Sequence, residues 1–173
     1  MDVLIEFGQI ILPAGLVLYA MYLVVRSFID KEIEKTKLEV RGRSIETVLP
    51  NRLQAYERMV LFLERMSPQS LLLRLDNGSF SAGEFHHILL NEIRNEYNHN
   101  VSQQVYMSDE AWELIKTAKE DLILTINEAA MEMEEKSRSI ELGRKIMDKS
   151  MAKNPDPIAH ALLQVKNEIR QTF

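Results

Sequence analysis

Residues 7–25 read FGQIILPAGLVLYAMYLVV, a run with a single polar side chain, Gln9, and no charge. At ~1.5 Å per helical residue such a run matches the ~30 Å hydrocarbon thickness of a bilayer. A helix apolar on every side has to be covered on every side, which makes this run the strongest constraint on the fold. It predicts a single membrane-spanning helix. Its flanks are asymmetric: Asp2 and Glu6 precede it, while Arg26, Lys31, Lys35, Lys37, Arg41 and Arg43 follow. Basic residues next to a span tend to stay cytoplasmic, so the N-terminus is expected outside and the remainder in the cytoplasm. Tyr19, Tyr22 and Arg26 are placed to meet the interface. Pro13 and Gly15 are tolerable in a span. A cleaved signal peptide fits less well, because the n-region is acidic and the run is long. A buried core helix is the other competing reading, which Glu6, Gln9 and Pro13 favour somewhat.

The other 148 or so positions of the 173-residue chain suffice for one modest domain. Net charge is −5, and without Asp2 and Glu6 the balance is nearly neutral. That argues against nucleic acid as a partner. The only basic cluster follows the apolar run, where attraction to anionic lipid explains it. The absence of cysteine removes disulfides, thiol catalysis and thiolate metal sites together.

Beyond residue 25 the pattern is helical throughout. Residues 30–48 are charged and helix-permissive, and read as a connector. Pro50 suits the first turn of a new helix. The run LPNRLQAYERMVLFLERM, with Leu53, Tyr56, Val60, Leu61, Phe62 and Leu63, predicts a central, mostly buried helix. Ser67-Pro68 opens a short helix, and Asp76-Asn77-Gly78-Ser79 is a turn. Ser81 with Glu84 has capping-box spacing and opens a helix expected to reach Tyr106. Ser108 starts the next. Its stripe, Ile115, Ala118, Leu122, Ile126, Ala129, Met133, Ser137, Ile140, Arg144 and Met147, predicts one long helix that turns polar beyond Glu134 and protrudes or pairs with another chain. Asp156-Pro157 begins a final helix with Ile158, Leu162, Val165 and Ile169 on one face.

The segments LPNRLQAYERMVLFLERMSP (49–68) and EIRNEYNHNVSQQVY (92–106), with Trp112, resemble a family of short, membrane-anchored, uncharacterised proteins from Bacteroidota. The resemblance covers nearly the whole chain. It implies a bacterial inner-membrane protein and brings no activity, substrate or catalytic residue.

Polar side chains on the 81–106 helix give the best candidate chemistry. Glu92, Glu96, His99 and Gln103 share a face with Phe85 and Leu89. Buried acids need partners, and the plain explanation is ion pairing with the preceding helix, where Glu57, Arg58, Glu64 and Arg65 lie. Arg58 or Arg65 can clamp a carboxylate. The sharper explanation is a metal site: Glu96-x-x-His99 has the i, i+3 spacing of di-iron carboxylate bundles. Glu84-x-x-His87 repeats it on the same helix, mostly on a different face. His86 and His87 splay apart, and His160 is expected in solvent. No phosphate loop, dinucleotide fingerprint, zinc-protease or serine-hydrolase motif is present.

These features predict an all-α protein with a single N-terminal transmembrane helix followed by a cytoplasmic helical bundle of three to five helices. The divisions fall at 1–29 (anchor), 30–48 (connector), 49–153 (bundle) and 154–173 (C-terminal amphipathic helix). The functional expectation is a membrane-tethered interaction or scaffold protein in the inner membrane. Its partners are the lipid bilayer and a second protein or another copy of itself, with no cofactor and no catalytic residue. The expected contact surface covers 133–151 and 158–169. One alternative is a metal-dependent enzyme using Glu92, Glu96 and His99. The other is a structural stalk, since an anchor followed by charged helices resembles rotary-ATPase stator subunits. Pro50, Pro68, Asn77-Gly78 and Pro155 argue against one continuous rod.

Overall fold

Helix boundaries in this chain follow its caps wherever a cap is local in sequence. The structure, a computed structural model, describes residues 2–171, with side chains described at 15–37, 39 and 48–171. Six α-helices occur among them: α1 (Asp2–Met66), α2 (Pro68–Leu75), α3 (Ala82–Asn100), α4 (Asp109–Met131), α5 (Ser139–Met151) and α6 (Pro157–Arg170). A 3₁₀ segment, Val101–Tyr106, extends α3. The only β-type pairing described is one bridge between Ser81 and Arg138. The chain divides into two compact units, residues 1–49 and 50–173.

The expected membrane span is corrected. Among the described residues no helix is long and apolar enough to cross a membrane. The apolar run does not end at a helix terminus: α1 continues without a break into the charged segment. From residue 15, where side-chain description begins, apolar character lasts only to Val25 before Arg26 interrupts it. The first part of the run, 7–14, lies outside the residues whose side chains are described. With the span goes the single-pass inner-membrane localisation that rested on it.

Pro50 does not begin a helix either. A mid-helix proline forfeits one backbone hydrogen bond, and α1 passes through it to Met66. In the second unit α1 buries one side only. Ala55, Tyr56, Met59, Phe62, Leu63 and Met66 are buried at three- and four-residue spacing, whereas Leu53 and Leu61 are exposed. The stripe is narrower than the apolar content suggests.

Ser67 accepts from the Ser70 amide with Pro68 in the first turn of α2. Ser81 and Glu84 form a complete capping box on α3. Ser108 caps α4, and Asp156 caps α6 ahead of Pro157. In the turn after α2, the Gly78 and Ser79 amides donate to the carboxyl and amide oxygens of Asp76 and Asn77. Gly78 has φ +76°, a conformation a side chain disfavours.

Two expected helices break. The one expected to reach Tyr106 leaves α-geometry at Asn100, whose buried side chain donates back to the Glu96 carbonyl at 2.8 Å. The long helix expected from Ser108 through Met147 stops at Met131. Residues 132–138 fold back onto the start of α3, where the amides of Ala82 and Gly83 donate to the Ser137 and Glu135 carbonyls at 2.7 and 3.1 Å. The Ser139 amide, first of α5, donates to the Phe80 carbonyl at 3.1 Å. These bonds satisfy helix-end amides that otherwise have no partner, and they outweigh a continuous hydrophobic period. The break also shifts phase: Leu142 and Ile146 face the core, and Ile140, Arg144 and Met147 do not. The segment expected to protrude or to pair with another chain contains α5, which does not protrude but lies against α2, α3 and α4.

The core gathers around α4, which packs on α3, α5 and α6. Phe85, Leu89, Ile93, Ile115, Ile126, Leu142 and Val165 have no accessible surface. Trp112 stacks on Tyr97 at 5.8 Å, and Phe80 stacks on Phe85 at 6.4 Å. Replacing Phe85 with Ala removes a fully enclosed ring and should lower stability by about 3–5 kcal/mol. Leu73→Ala, on a side chain 77 % exposed, should change it by less than ~0.5 kcal/mol. Urea unfolding monitored by circular dichroism measures both.

Candidate functional site

The second unit carries three sets of polar ties and two open clefts that bear on function. The first network contains the acids singled out by sequence. Glu92 and Glu96 lie one turn apart on α3, as helical spacing requires. They face Arg65 near the end of α1 and Arg74 on α2. An Arg65 Nη2–Glu96 Oε1 separation of 2.5 Å and an Arg74–Glu92 hydrogen bond join three helices. Arg65 also stands 4.0 Å from Glu92. Both carboxylates are half-buried, so each has a cation where partial desolvation makes one necessary.

His99 does not join them. Its side chain is exposed, and its backbone carbonyl accepts from Arg58 at 3.4 Å. Among the described residues no group of three or more His, Asp or Glu side chains is arranged to hold a metal. The Glu96-x-x-His99 spacing thus splits between an arginine and solvent. Glu84 is consumed by the capping box, which through the Ser81 backbone amide and then its hydroxyl lowers the Glu84 carboxyl below its ordinary range. His87 is exposed, His86 Nε2 lies 2.8 Å from Asn127 Oδ1, and Glu64 stands 3.5 Å from Lys166. Glu57 and His160 are exposed.

The second network was not foreseen. Tyr56, 2 % exposed, donates its hydroxyl to Glu168 on α6. The other Glu168 oxygen accepts from the Ser108 hydroxyl at 2.7 Å, and the Ser108 amide adds a bond of 2.9 Å. Arg52 approaches Glu168 to 3.7 Å and donates to the Tyr106 carbonyl at 3.1 Å. Ser108 therefore caps α4 and grips α6 with one hydroxyl. Burial raises the Tyr56 phenol, and its bond to Glu168 raises it further. Burial alone would raise Glu168 too, but the bonds from Tyr56 and Ser108 together with the Arg52 charge outweigh it and hold the carboxyl below its usual value. The sequence signal was Tyr56 itself, since a buried tyrosine needs a hydrogen-bond partner. Nothing local pointed to a partner so distant.

A third set of pairs ties α4 to α5. Glu132 accepts from Lys145 and Lys149 at 2.6 and 2.8 Å, and these bonds pull its carboxyl down to about 2. Lys153 binds Asp121 at 2.6 Å and the Thr125 hydroxyl at 2.7 Å. The lysines of α5 that face the bundle are thus spent on structural pairs.

The outer side of α5 differs. With α2 it forms an open groove of about 570 Å³, lined by Leu72, Leu73, Ile140 and Met147, with Arg144 and Asp148 on the rim. Leu73 is 77 % and Ile140 46 % exposed. Gly143 also lines the groove, beside Leu72. Arg144 and Asp148 make no ion pair among the described residues, in contrast to the paired lysines beside them. A second cleft of about 500 Å³ lies where residues 133–135 cross α3, with His86, His87 and Asn127 in its wall.

The Glu168 network should give stability a two-sided pH dependence. A carboxyl whose folded pKa lies below the unfolded value, near 4.5, stabilises fully above that value. The contribution is lost as pH falls through the folded pKa. A phenol raised above 10.0 stabilises fully below pH 10, and that contribution is lost as pH rises through its folded pKa. Glu168→Gln should flatten the acid limb and cost about 1.5–3 kcal/mol at neutral pH. Tyr56→Phe should flatten the alkaline limb. Urea midpoints from pH 3 to 11 read both.

A family model described as a family of unknown function, DUF7935, matches residues 2–172 of the chain. No curated protein and no solved structure matches it.

Proposed function

We propose that this chain, which belongs to the DUF7935 family of unknown function, is a helical protein-interaction module whose second unit receives an amphipathic helix of a partner protein in the α2–α5 groove. The single observation carrying this is the contrast between the two sides of α5. Facing the bundle, Lys145 and Lys149 of α5, and Lys153 just beyond its end, all find acids. Facing out, Arg144 and Asp148 flank an apolar floor and have no partner among the described residues. An exposed apolar strip rimmed by unspent charge of both signs is what helix-in-groove recognition uses. The fitting ligand helix presents apolar residues at i, i+3 and i+4, with an acid toward Arg144 and a base toward Asp148. Met147 gives the floor an adaptable surface.

The perturbed ionisable groups support the same reading. Burial and then the bond to Glu168 raise Tyr56, while caps and ties between elements hold Glu168, Glu84 and Glu132 low, and none of the four faces the groove. Glu92 and Glu96, the acids considered for metal chemistry, are held by Arg65 and Arg74.

The test places a photo-cross-linking residue at Leu73 in the full chain within its own cells, with a control at Glu113 on an exposed part of α4. A discrete protein adduct is expected at Leu73 and not at Glu113. It should disappear when Ile140→Lys or Arg144→Glu is added, with thermal unfolding showing that both variants remain folded. An adduct that survives both changes, or none at all at Leu73, would remove the groove from the account.

A further inference from the structure

The first unit poses a separate question, because its apolar side chains lie open. Leu18, Tyr22, Val25, Ile29 and Ile33 are 48–68 % exposed. They continue to Thr36 with successive spacings of 4, 3, 4, 4 and 3 residues. Leu18 and Ile29, Tyr22 and Ile33, and Val25 and Thr36 are thus related by an eleven-residue repeat. At about 100° per residue the six positions fall within an arc of about 80°. The stripe leaves the uniformly apolar run and persists after Arg26, where every other position through Lys37 except Phe28 is polar. An eleven-residue repeat keeps one seam facing a partner helix along its length, with a slight right-handed supercoil.

Charge identifies the partner. One flank of the seam carries Glu32 and Glu39, with Phe28 and Met21 beside them and Lys35 further round. The other carries Arg26 and Lys37, with Asp30 further round. When two identical helices pair in parallel, each flank meets the opposite flank of its neighbour, so acid faces base on both sides. Antiparallel pairing would set like flanks together, acid on acid and base on base. Such flanking charges select partner and orientation in helix pairs. Glu39 already has Lys35 at 4.0 Å on its own helix. Glu32 and Lys37 make no ion pair within the chain among the described residues. A surface complementary to itself about a two-fold axis is the requirement for an isologous dimer.

We infer that residues 18–37 of α1 pair in parallel with the same segment of a second copy of this chain, along the seam Leu18–Tyr22–Val25–Ile29–Ile33–Thr36. This goes beyond the groove reading and is independent of it, because the groove belongs to the other unit and its test reads a different protein.

The chain has no cysteine, so single introduced thiols report directly. The full chain is prepared with Ile29→Cys, Ile33→Cys, Ser27→Cys or Glu34→Cys, the last two lying on the far side of the helix. Each is exposed to a mild oxidant. Disulfide-linked dimer is expected at Ile29→Cys and Ile33→Cys, several-fold above the yield at Ser27→Cys and Glu34→Cys. In the Ile33→Cys background, Glu32→Lys or Lys37→Glu should each lower the yield several-fold, and the double exchange should restore it. Equal yields around the helix would mean that a different protein or a lipid surface covers it, and would overturn the proposal. So would no dimer at any position, or yields indifferent to the charge exchanges.

Discussion

The backbone pairing between the start of α3 and the segment after α4 is what the rest of the second unit depends on. Helix starts leave amides without acceptors, and burying them unpaired is expensive. Here Ala82 and Gly83 take their acceptors from Ser137 and Glu135, and Ser139 takes its own from Phe80. One crossing of chain therefore supplies the beginnings of two helices. It forces α4 to end, fixes where α5 begins and lays α5 beside α2. Asp76 reinforces the same corner by accepting from the Ser139 hydroxyl at 2.8 Å. The groove between α2 and α5 exists because of this crossing.

Charge in the second unit then divides by function. Where helices meet, acids and bases are matched and partly withdrawn from water. Glu132, just past α4, pairs with two lysines of α5, Asp121 of α4 pairs with Lys153 just past α5, and Glu92 and Glu96 of α3 pair with arginines of α1 and α2. Pairs of this kind specify alignment more than they add stability. Every side-chain nitrogen or oxygen that is fully buried among the described residues has a hydrogen-bond partner. At the groove between α2 and α5, Arg144 and Asp148 have no such match among the described residues, and that is also where Leu73 and Ile140 are uncovered.

How much of this was legible follows from the range of each interaction. Caps lie within three residues of what they cap, so Ser67, Ser81 with Glu84, Ser108 and Asp156 marked the true starts of helices. The facing of Glu92 and Glu96 toward Arg65 came within reach because both helices could be phased from their apolar stripes. Arg74 did not, since the orientation of α2 is set by the corner at Asp76. Breaks dictated from afar were invisible. The period from Ile115 to Met147 runs on in sequence, yet amides some fifty residues upstream end the helix. As a result Ile140, Arg144 and Met147, placed inward by periodicity, line the groove instead. The apolar N-terminal run read as a bilayer span because composition reports what a surface avoids and not what covers it.

The tie between Tyr56 and Glu168 spans 112 positions, whereas the Arg74–Glu92 tie spans 18. Chain-closure entropy grows as the logarithm of length, so the longer closure costs about 1.6 kcal/mol more. Contacts of that range are made late in folding, after shorter loops have closed. Until α6 docks, the flank of α4 that receives it stays wet and the Tyr56 hydroxyl lacks its carboxylate. During that interval the vacant seat on α4 is open to the α6 of a neighbouring chain at high enough concentration, a route to exchange of this helix between copies.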